Sequence, residues 1–215
     1  MDYETWDPFY RRILEDFGFS RLEDEAVAAE LDRLLGGTRA SQDDLRAVLR
    51  GKEVTVVGNG PDVDAELTEP RGILITADEA TSVAVAKGFA PAILVTDLDG
   101  TVADQVTANA AGTLAVVHGH GDNLDAVSTW APRFRGRTVA TTQSRPVGRL
   151  ENFGGFTDGD RAVFLADHFG AARIHLVGFD FERPNPKDAD ATRKRRKLDW
   201  AYILLSNLQR DDLDL

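Results

Sequence analysis

Apolar residues recur at helical spacing through the first fifty positions. Trp6, Phe9, Tyr10, Ile13, Leu14 and Phe17 form one stripe, which predicts an amphipathic helix over 3–17. Leu22, Ala26, Ala29, Leu31 and Leu35 repeat the pattern over 21–35, and Gly36-Gly37 is expected to stop that helix. Ser41 is placed to cap a short third helix, with Asp44 at the capping-box position. The pattern then changes. Short β-branched runs at 53–58, 72–78, 92–97, 113–122, 137–142 and 174–180 alternate with helical patterns near 79–88, 101–111, 122–130 and 158–169. Apolar strands separated by helices of this length predict an α/β fold, a mostly parallel sheet of about six strands flanked by helices. A last helix over 193–210 carries Leu198, Ala201, Tyr202, Leu205 and Leu208 on one stripe, and the preceding DADATRKRR stretch is expected to be a mobile loop. The chain reads as an N-terminal helical extension (1–50) on one α/β domain (51–215) that carries the chemistry. The extension's apolar stripes could pack on the same domain or on a partner, so homo-oligomerisation stays open.

Composition narrows the class. An apolar fraction of 42% supports a real core and excludes disorder and low-complexity architectures. With no cysteine there can be no disulfide, thiolate zinc site or cysteine nucleophile. No apolar run approaches the roughly 20 residues of a membrane span, and MDYETWDPFYRR lacks a secretory pattern. A soluble, cytoplasmic protein is expected. The net charge is −11, with Asp exceeding Glu 25 to 11 and Arg exceeding Lys 20 to 5. A carboxylate-rich, lysine-poor surface suits a high-salt cytoplasm, because dense carboxylates hold water and salt screens their repulsion. Broad nucleic-acid binding is disfavoured by the same charge. The exception is local: Arg183, Lys187, Arg193, Lys194, Arg195, Arg196 and Lys197 gather within fifteen residues, including three of the five lysines. A bound polyphosphate would account for them.

In open parallel sheets ligands bind beyond the carboxyl ends of the strands. Four of the six expected strands end in functional groups: Gly58-Asn59-Gly60-Pro61, Ala77-Asp78, Thr96-Asp97-Leu98-Asp99-Gly100, and His118-Gly119-His120-Gly121-Asp122-Asn123. The i, i+2 pair Asp97 and Asp99 can grip a hard divalent cation such as Mg2+. His118 and His120 suit either a softer metal or donation to phosphate, with Asp122 as a metal or substrate contact. NFGGFTDGDRA (152–162) reads as a Gly-rich loop opening a helix, capped by Thr157 or Asp158, whose first amides suit an anion. GNGP (58–61) lacks the third glycine of a dinucleotide fingerprint but marks a close backbone approach. His168 and His175 read as structural.

In order and at compact spacing, GNGPD, ITADEA, APAILVTDLDG, HGHGDN, GFTDGDRA and KRRKLDWA span residues 50–205. Together they resemble the archaeal 6-hydroxymethyl-7,8-dihydropterin pyrophosphokinase family, the MptE-like proteins, whose core is similar to that of thiamine pyrophosphokinases. The resemblance implies Mg2+-dependent transfer of diphosphate from ATP to a hydroxymethyl-dihydropterin, with release of AMP. It implies Asp97, Asp99 and Asp122 as catalytic carboxylates on Mg2+. His118, His120, Asn123, Lys194, Arg195 and Lys197 would contact ATP. Gly58, Asn59 and Gly60 would approach the substrate, Asp78 or Asp158 would accept from the pterin edge, and Phe153 or Phe156 would offer a flat surface. Relatives often carry Ser after the Gly-x-Gly-Pro turn, where this chain has Asp62.

VTDLDGTV also resembles the first motif of haloacid-dehalogenase-type phosphatases, with Asp97 as nucleophile and Asp99 as general acid. Two strands precede it here, and only about twenty residues separate it from GDNLD. A nucleotide-binding regulatory module and a glycosyltransferase-like relative are further alternatives.

Overall fold

A computed structural model describes residues 1–35, 40–213 and 215. The expected stop at Gly36-Gly37 lies outside the described residues. Helices α1 (Tyr3–Phe17), α2 (Arg21–Leu35) and α3 (Gln42–Leu49) precede the first strand. Asp2 caps α1 by accepting from the Thr5 amide at 2.9 Å, and Ser41 and Asp44 close a reciprocal capping box on α3. These side chains satisfy amides that a helix start otherwise leaves free.

Then follow β1 (Glu53–Val57), α4 (Val63–Glu66), β2 (Ile73–Ala77), α5 (Ala80–Ala86), β3 (Ile93–Thr96), α6 (Val102–Ala110) and β4 (Leu114–Gly119). The chain ends with α7 (Leu124–Trp130), β5 (Thr138–Thr142), α8 (Asp158–His168), β6 (Arg173–Val177) and α9 (Ala191–Ser206). Helix α4 was not anticipated; four residues are too short for a periodic signal. Helix α9 begins at Ala191, so most of the stretch expected to be a mobile loop is helical, with Asp190 capping it through the Arg193 amide.

All strand pairs are parallel, in the order β5-β4-β3-β2-β1-β6. From β1 to β5 the chain steps one strand at a time in one direction. It then returns through α8 to place β6 on the other side of β1. Residues alternate across the sheet, so Val54, Val56, Ile75 and Val95 face one layer while Leu94, Ala115 and Val117 face the other. The first layer holds Trp6, Tyr10 and Ile13 of α1, Leu45 and Leu49 of α3, most of α8, and Trp200 and Leu204 of α9. The second holds Val27, Ala28 and Leu31 of α2. The N-terminal helices therefore pack on both faces of their own sheet. Among the described residues, no helix is long and apolar enough to cross a membrane.

Reversal of the strand order puts the topological switch between β1 and β6, where such sheets open a crevice. The backbones meet closely there: the Gly60 amide donates to the Gly178 carbonyl at 2.7 Å. A Cβ on Gly60 would stand 2.6 Å from that carbonyl oxygen, and one on Gly58 at 2.8 Å, so neither position admits a side chain without a shift.

Candidate active site

A cavity of about 410 Å³ opens over the carboxyl ends of β1, β2, β3 and β4, roofed by the 178–190 loop and the start of α9. Gly58, Asn59, Gly60, Asp78, Asp97, Asp99, His120, Asp122, Phe156, Asp158, Lys194 and Lys197 all line it. Three carboxylates from three segments converge: Asp78 after β2, Asp97 after β3 and Asp158 at the start of α8 have oxygens within 4.8 Å of one another.

Local structure explains who joins this trio. In an extended strand, i and i+2 share a face. Leu98 instead takes φ 69°, which breaks the alternation between Asp97 and Asp99. Its amide donates to Thr96 Oγ1 at 2.8 Å, holding a conformation that a bulky residue adopts only at a cost. Asp99 is left exposed, accepting from the Gly100 amide. Asp78 also lies in the left-handed region, at φ 44°, where Asp is better tolerated than most residues. At α8 the cap falls to Thr157: Asp160 accepts from the Thr157 hydroxyl at 2.6 Å and the Phe156 amide at 2.9 Å. Asp158 is thereby spared for the cavity.

The remaining expected residues divide. His120 Nε2 lies 3.1 Å from Asp97 Oδ2. His118 is buried beneath the site, with Nδ1 3.0 Å from Thr141 Oγ1, and burial drives its pKa well down, keeping the ring neutral. Asn123 is spent on backbone, donating to the carbonyls of Asp97 and His118 and accepting from the His120 amide. Asp122 lies apart from the trio, its carboxylate paired with Arg193 at 2.6 Å. Arg195 turns to the Glu182 carbonyl and Asp199. Phe153 packs against His168 and Phe169 in the core; Phe156 is equally buried, against Phe17 and Phe19, but also contributes to the cavity wall. The structure thus brings Asp97, His120, Lys194, Lys197 and Phe156 together around Asp78 and Asp158, and leaves His118, Asn123, Arg195 and Phe153 out of the cavity lining.

Two contributors were not singled out as site residues. Arg161, one turn into α8, is 7% exposed and bonds Asp158 at 3.1 Å and Gln143 Oε1 at 3.3 Å. Its spacing from Asp158, i+3 on a helix, was the available signal. Gln143, just past β5, carried none. Asp62, the departure from the usual serine, pairs with Arg183, which also bonds Asp180. It therefore ties the β1 turn to the roofing loop.

Electrostatics set the trio's character. Burial raises the Asp78 carboxyl well above its ordinary range, and the nearby Asp158 and Asp97 carboxylates push it further. Burial, then Asp97, raises Asp158 as well. Burial acts the same way on Asp97, but the His120 hydrogen bond, with the charges of His120, Arg161 and Lys197, outweighs it and holds this carboxyl low. Burial lowers the Lys197 amine, and its Nζ stands 5.7 Å from the Phe156 ring centre. Oδ1 of Asp78 and Oδ1 of Asp97 are buried without a hydrogen-bond partner among the described residues. Orphaned carboxylate oxygens, clustered and hard, are the donor set that Mg2+ accepts; softer metals would call for more imidazole or sulfur.

Three clustered carboxylates, with two lysines in the same cavity, over the carboxyl edge of a six-stranded parallel sheet define the class: an α/β protein with a polar, charged cavity. The MptE-like family model, described as 6-hydroxymethylpterin diphosphokinase MptE-like, matches residues 30–186. The chain belongs to that family. Three archaeal relatives carry the name 6-hydroxymethyl-7,8-dihydropterin pyrophosphokinase. The one from Methanothermobacter thermautotrophicus is 41% identical, covering 98% of this chain and 97% of the relative. That from Methanocaldococcus jannaschii is 35% identical over 97% and 96%. That from Pyrococcus furiosus is 41% identical over 84% and 79%. Among solved structures, a MAf glycosyltransferase from Magnetospirillum magneticum AMB-1 aligns at a TM-score of 0.38 and 18% identity, over 77% of this chain and 30% of that longer one; this likeness carries no argument.

Proposed function

We propose that this protein transfers diphosphate from ATP to the hydroxymethyl group of 6-hydroxymethyl-7,8-dihydropterin, releasing AMP. One observation carries the reading: 41% identity, across nearly the whole of both chains, to a relative named for this transfer. The cavity is consistent with it. In the reaction the pterin hydroxyl oxygen bonds the β-phosphorus, the bond from that phosphorus to the α-phosphate oxygen breaks, and the hydroxyl proton is released to water. The protein's task is to position two substrates and balance charge.

Asp97, Asp78 and Asp158 would hold Mg2+, which when bound screens phosphate charge and organises the triphosphate. We put the metal on this trio rather than on Asp122, which is paired with Arg193, or Asp99, which is exposed and lies outside the cluster. His120 steadies Asp97 in its charged form. Lys194 and Lys197 reach the cavity from α9 and supply cations to the phosphates. Phe156, 4% exposed, backs the Lys197 side chain at the cavity wall, and Gly58-Asn59-Gly60 lets backbone approach a ligand. The phosphatase alternative is not favoured, because Asp97 follows the third strand of the chain rather than the first and shares its site with Asp78 and Asp158. The acidic, lysine-poor composition suits a protein working in a high-salt cytoplasm.

The test is direct. Protein, Mg2+, ATP and hydroxymethyl-dihydropterin are incubated and the products separated. AMP and a diphosphorylated pterin in equal amounts support the reading; ADP, free phosphate or no turnover refutes it.

A further inference from the structure

Asp24 lies on the first turn of α2, before the residues matched by the family model, yet it is 2% exposed. A buried carboxylate is costly unless hydrogen bonds compensate it, and an apolar residue usually serves stability better. Here the bonds lead to the site. Asp24 accepts from Tyr10 Oη at 2.5 Å, from the Gly121 amide at 2.7 Å, and from Gln143 Nε2 at 3.0 and 2.9 Å on its two oxygens.

Gly121 follows His120, whose ring holds Asp97. Gln143 accepts from Arg161, which holds Asp158. The Gln143 carbonyl is also pinned by Trp6 Nε1 at 2.8 Å. Two members of the carboxylate trio are thus braced, through separate chains of contacts, by one side chain of the N-terminal helices. The fit at the joint is tight: a Cβ on Gly121 would come within 3.0 Å of Glu23 Cβ and 3.4 Å of Asp24 Oδ1.

From this we infer that Asp24 is a positioning residue for the reaction, setting the spacing of Asp97 and Asp158 through the 120–123 turn and Gln143. Through Asp24, α2 then helps to position the reacting groups. The kinetic consequence rests on the diphosphokinase reading; the structural consequence does not.

Asp24→Asn keeps the shape but turns an amide NH2 toward donors. The expected result is a fall in kcat of about tenfold or more with both KM values within about threefold, since misplaced reacting groups cost rate more than binding. Amide exchange at 120–123 and 142–144 should quicken by at least about tenfold while β1 is unchanged. Tyr10→Phe leaves the Gly121 and Gln143 bonds in place, so it should lower the melting temperature but keep kcat within about twofold, a split that a purely structural role would not produce. A folded Asp24→Asn protein with kcat within twofold of wild type, or with unaltered exchange in both segments, overturns the inference. If Asp24→Asn does not fold, Gln143→Met takes its place: a tenfold loss of kcat with unchanged exchange at Gly121 supports the inference, and kcat within twofold overturns it. If the wild-type protein forms no diphosphorylated pterin, the functional reading fails, and exchange alone decides the role of Asp24.

Discussion

Replacing Asp78 by Asn should make the metal-free protein more stable at neutral pH while abolishing turnover. Asp78 stands with Asp97 and Asp158 inside a 4.8 Å cluster. Two unit charges at that separation repel by about 3.5 kcal/mol at an effective dielectric near 20. Burial and these neighbours raise the Asp78 carboxyl in the folded state. A raised carboxyl contributes stability that is full in acid, below its unfolded value, and is lost as pH rises through the folded value. At pH 7.5 the wild type should therefore carry a penalty of about 3 kcal/mol that the Asn variant escapes, equal to roughly 6–12 °C in melting temperature for a chain of this size. At pH 4.5 the gap should narrow. Adding Mg2+ should raise the wild-type melting point and leave the variant's nearly unchanged, narrowing or reversing the order. The assay is a thermal melt in chelator and in excess Mg2+ at both pH values, paired with AMP release. An Asp78→Asn protein that melts at or below wild type at pH 7.5 in chelator would refute the claim that the trio is electrostatically frustrated.

Lys197→Met keeps the aliphatic stem against Phe156 and removes the charge; kcat/KM for ATP should fall by about 10²-fold, or about 2.7 kcal/mol, whereas Arg195→Ala, whose guanidinium faces Glu182 and Asp199, should leave it unchanged in the same steady-state assay. Gly60→Ala places a methyl 2.6 Å from the Gly178 carbonyl and should destabilise by about 1–3 kcal/mol, read as a lower denaturant midpoint. With a net charge of −11, the melting temperature should climb by several degrees, about 5 °C or more, between 0.1 and 2 M KCl as self-repulsion is screened; a flat salt profile would count against high-salt adaptation.

Much of the frame was legible along the chain because it rests on local physics. The stripes of Trp6, Tyr10 and Ile13 and of Leu31 and Leu35 gave α1 and α2 the same bounds that the structure shows. Ser41 with Asp44 announced a cap that forms, and β-branched runs announced a mostly parallel sheet of about six strands, which the structure shows as six, all parallel. Asp97 and the glycine turn after β1 were legible as strand-end features, because strand ends are where this kind of sheet opens. The composition of the acidic trio was not. Asp78 and Asp158 meet only because α8 returns across the sheet, a long-range event that no spacing records. Asp99 left the pair because one residue, Leu98, takes a left-handed turn held by Thr96. Asp24 carried no signal along the chain, since its burial depends on Tyr10, Gly121 and Gln143 arriving from elsewhere.

Periodicity, capping and turn chemistry act over a few residues, so the chain alone announced most of the helices and strands, a mostly parallel sheet, and the strand ends where polar groups gather. Burial, charge coupling and hydrogen-bond closure act between segments that can lie more than a hundred residues apart, as Trp6 and Gln143 do, at a separation of 137. Only the folded structure could decide which carboxylates share the cavity, which histidine touches them, and that the first two helices brace the site.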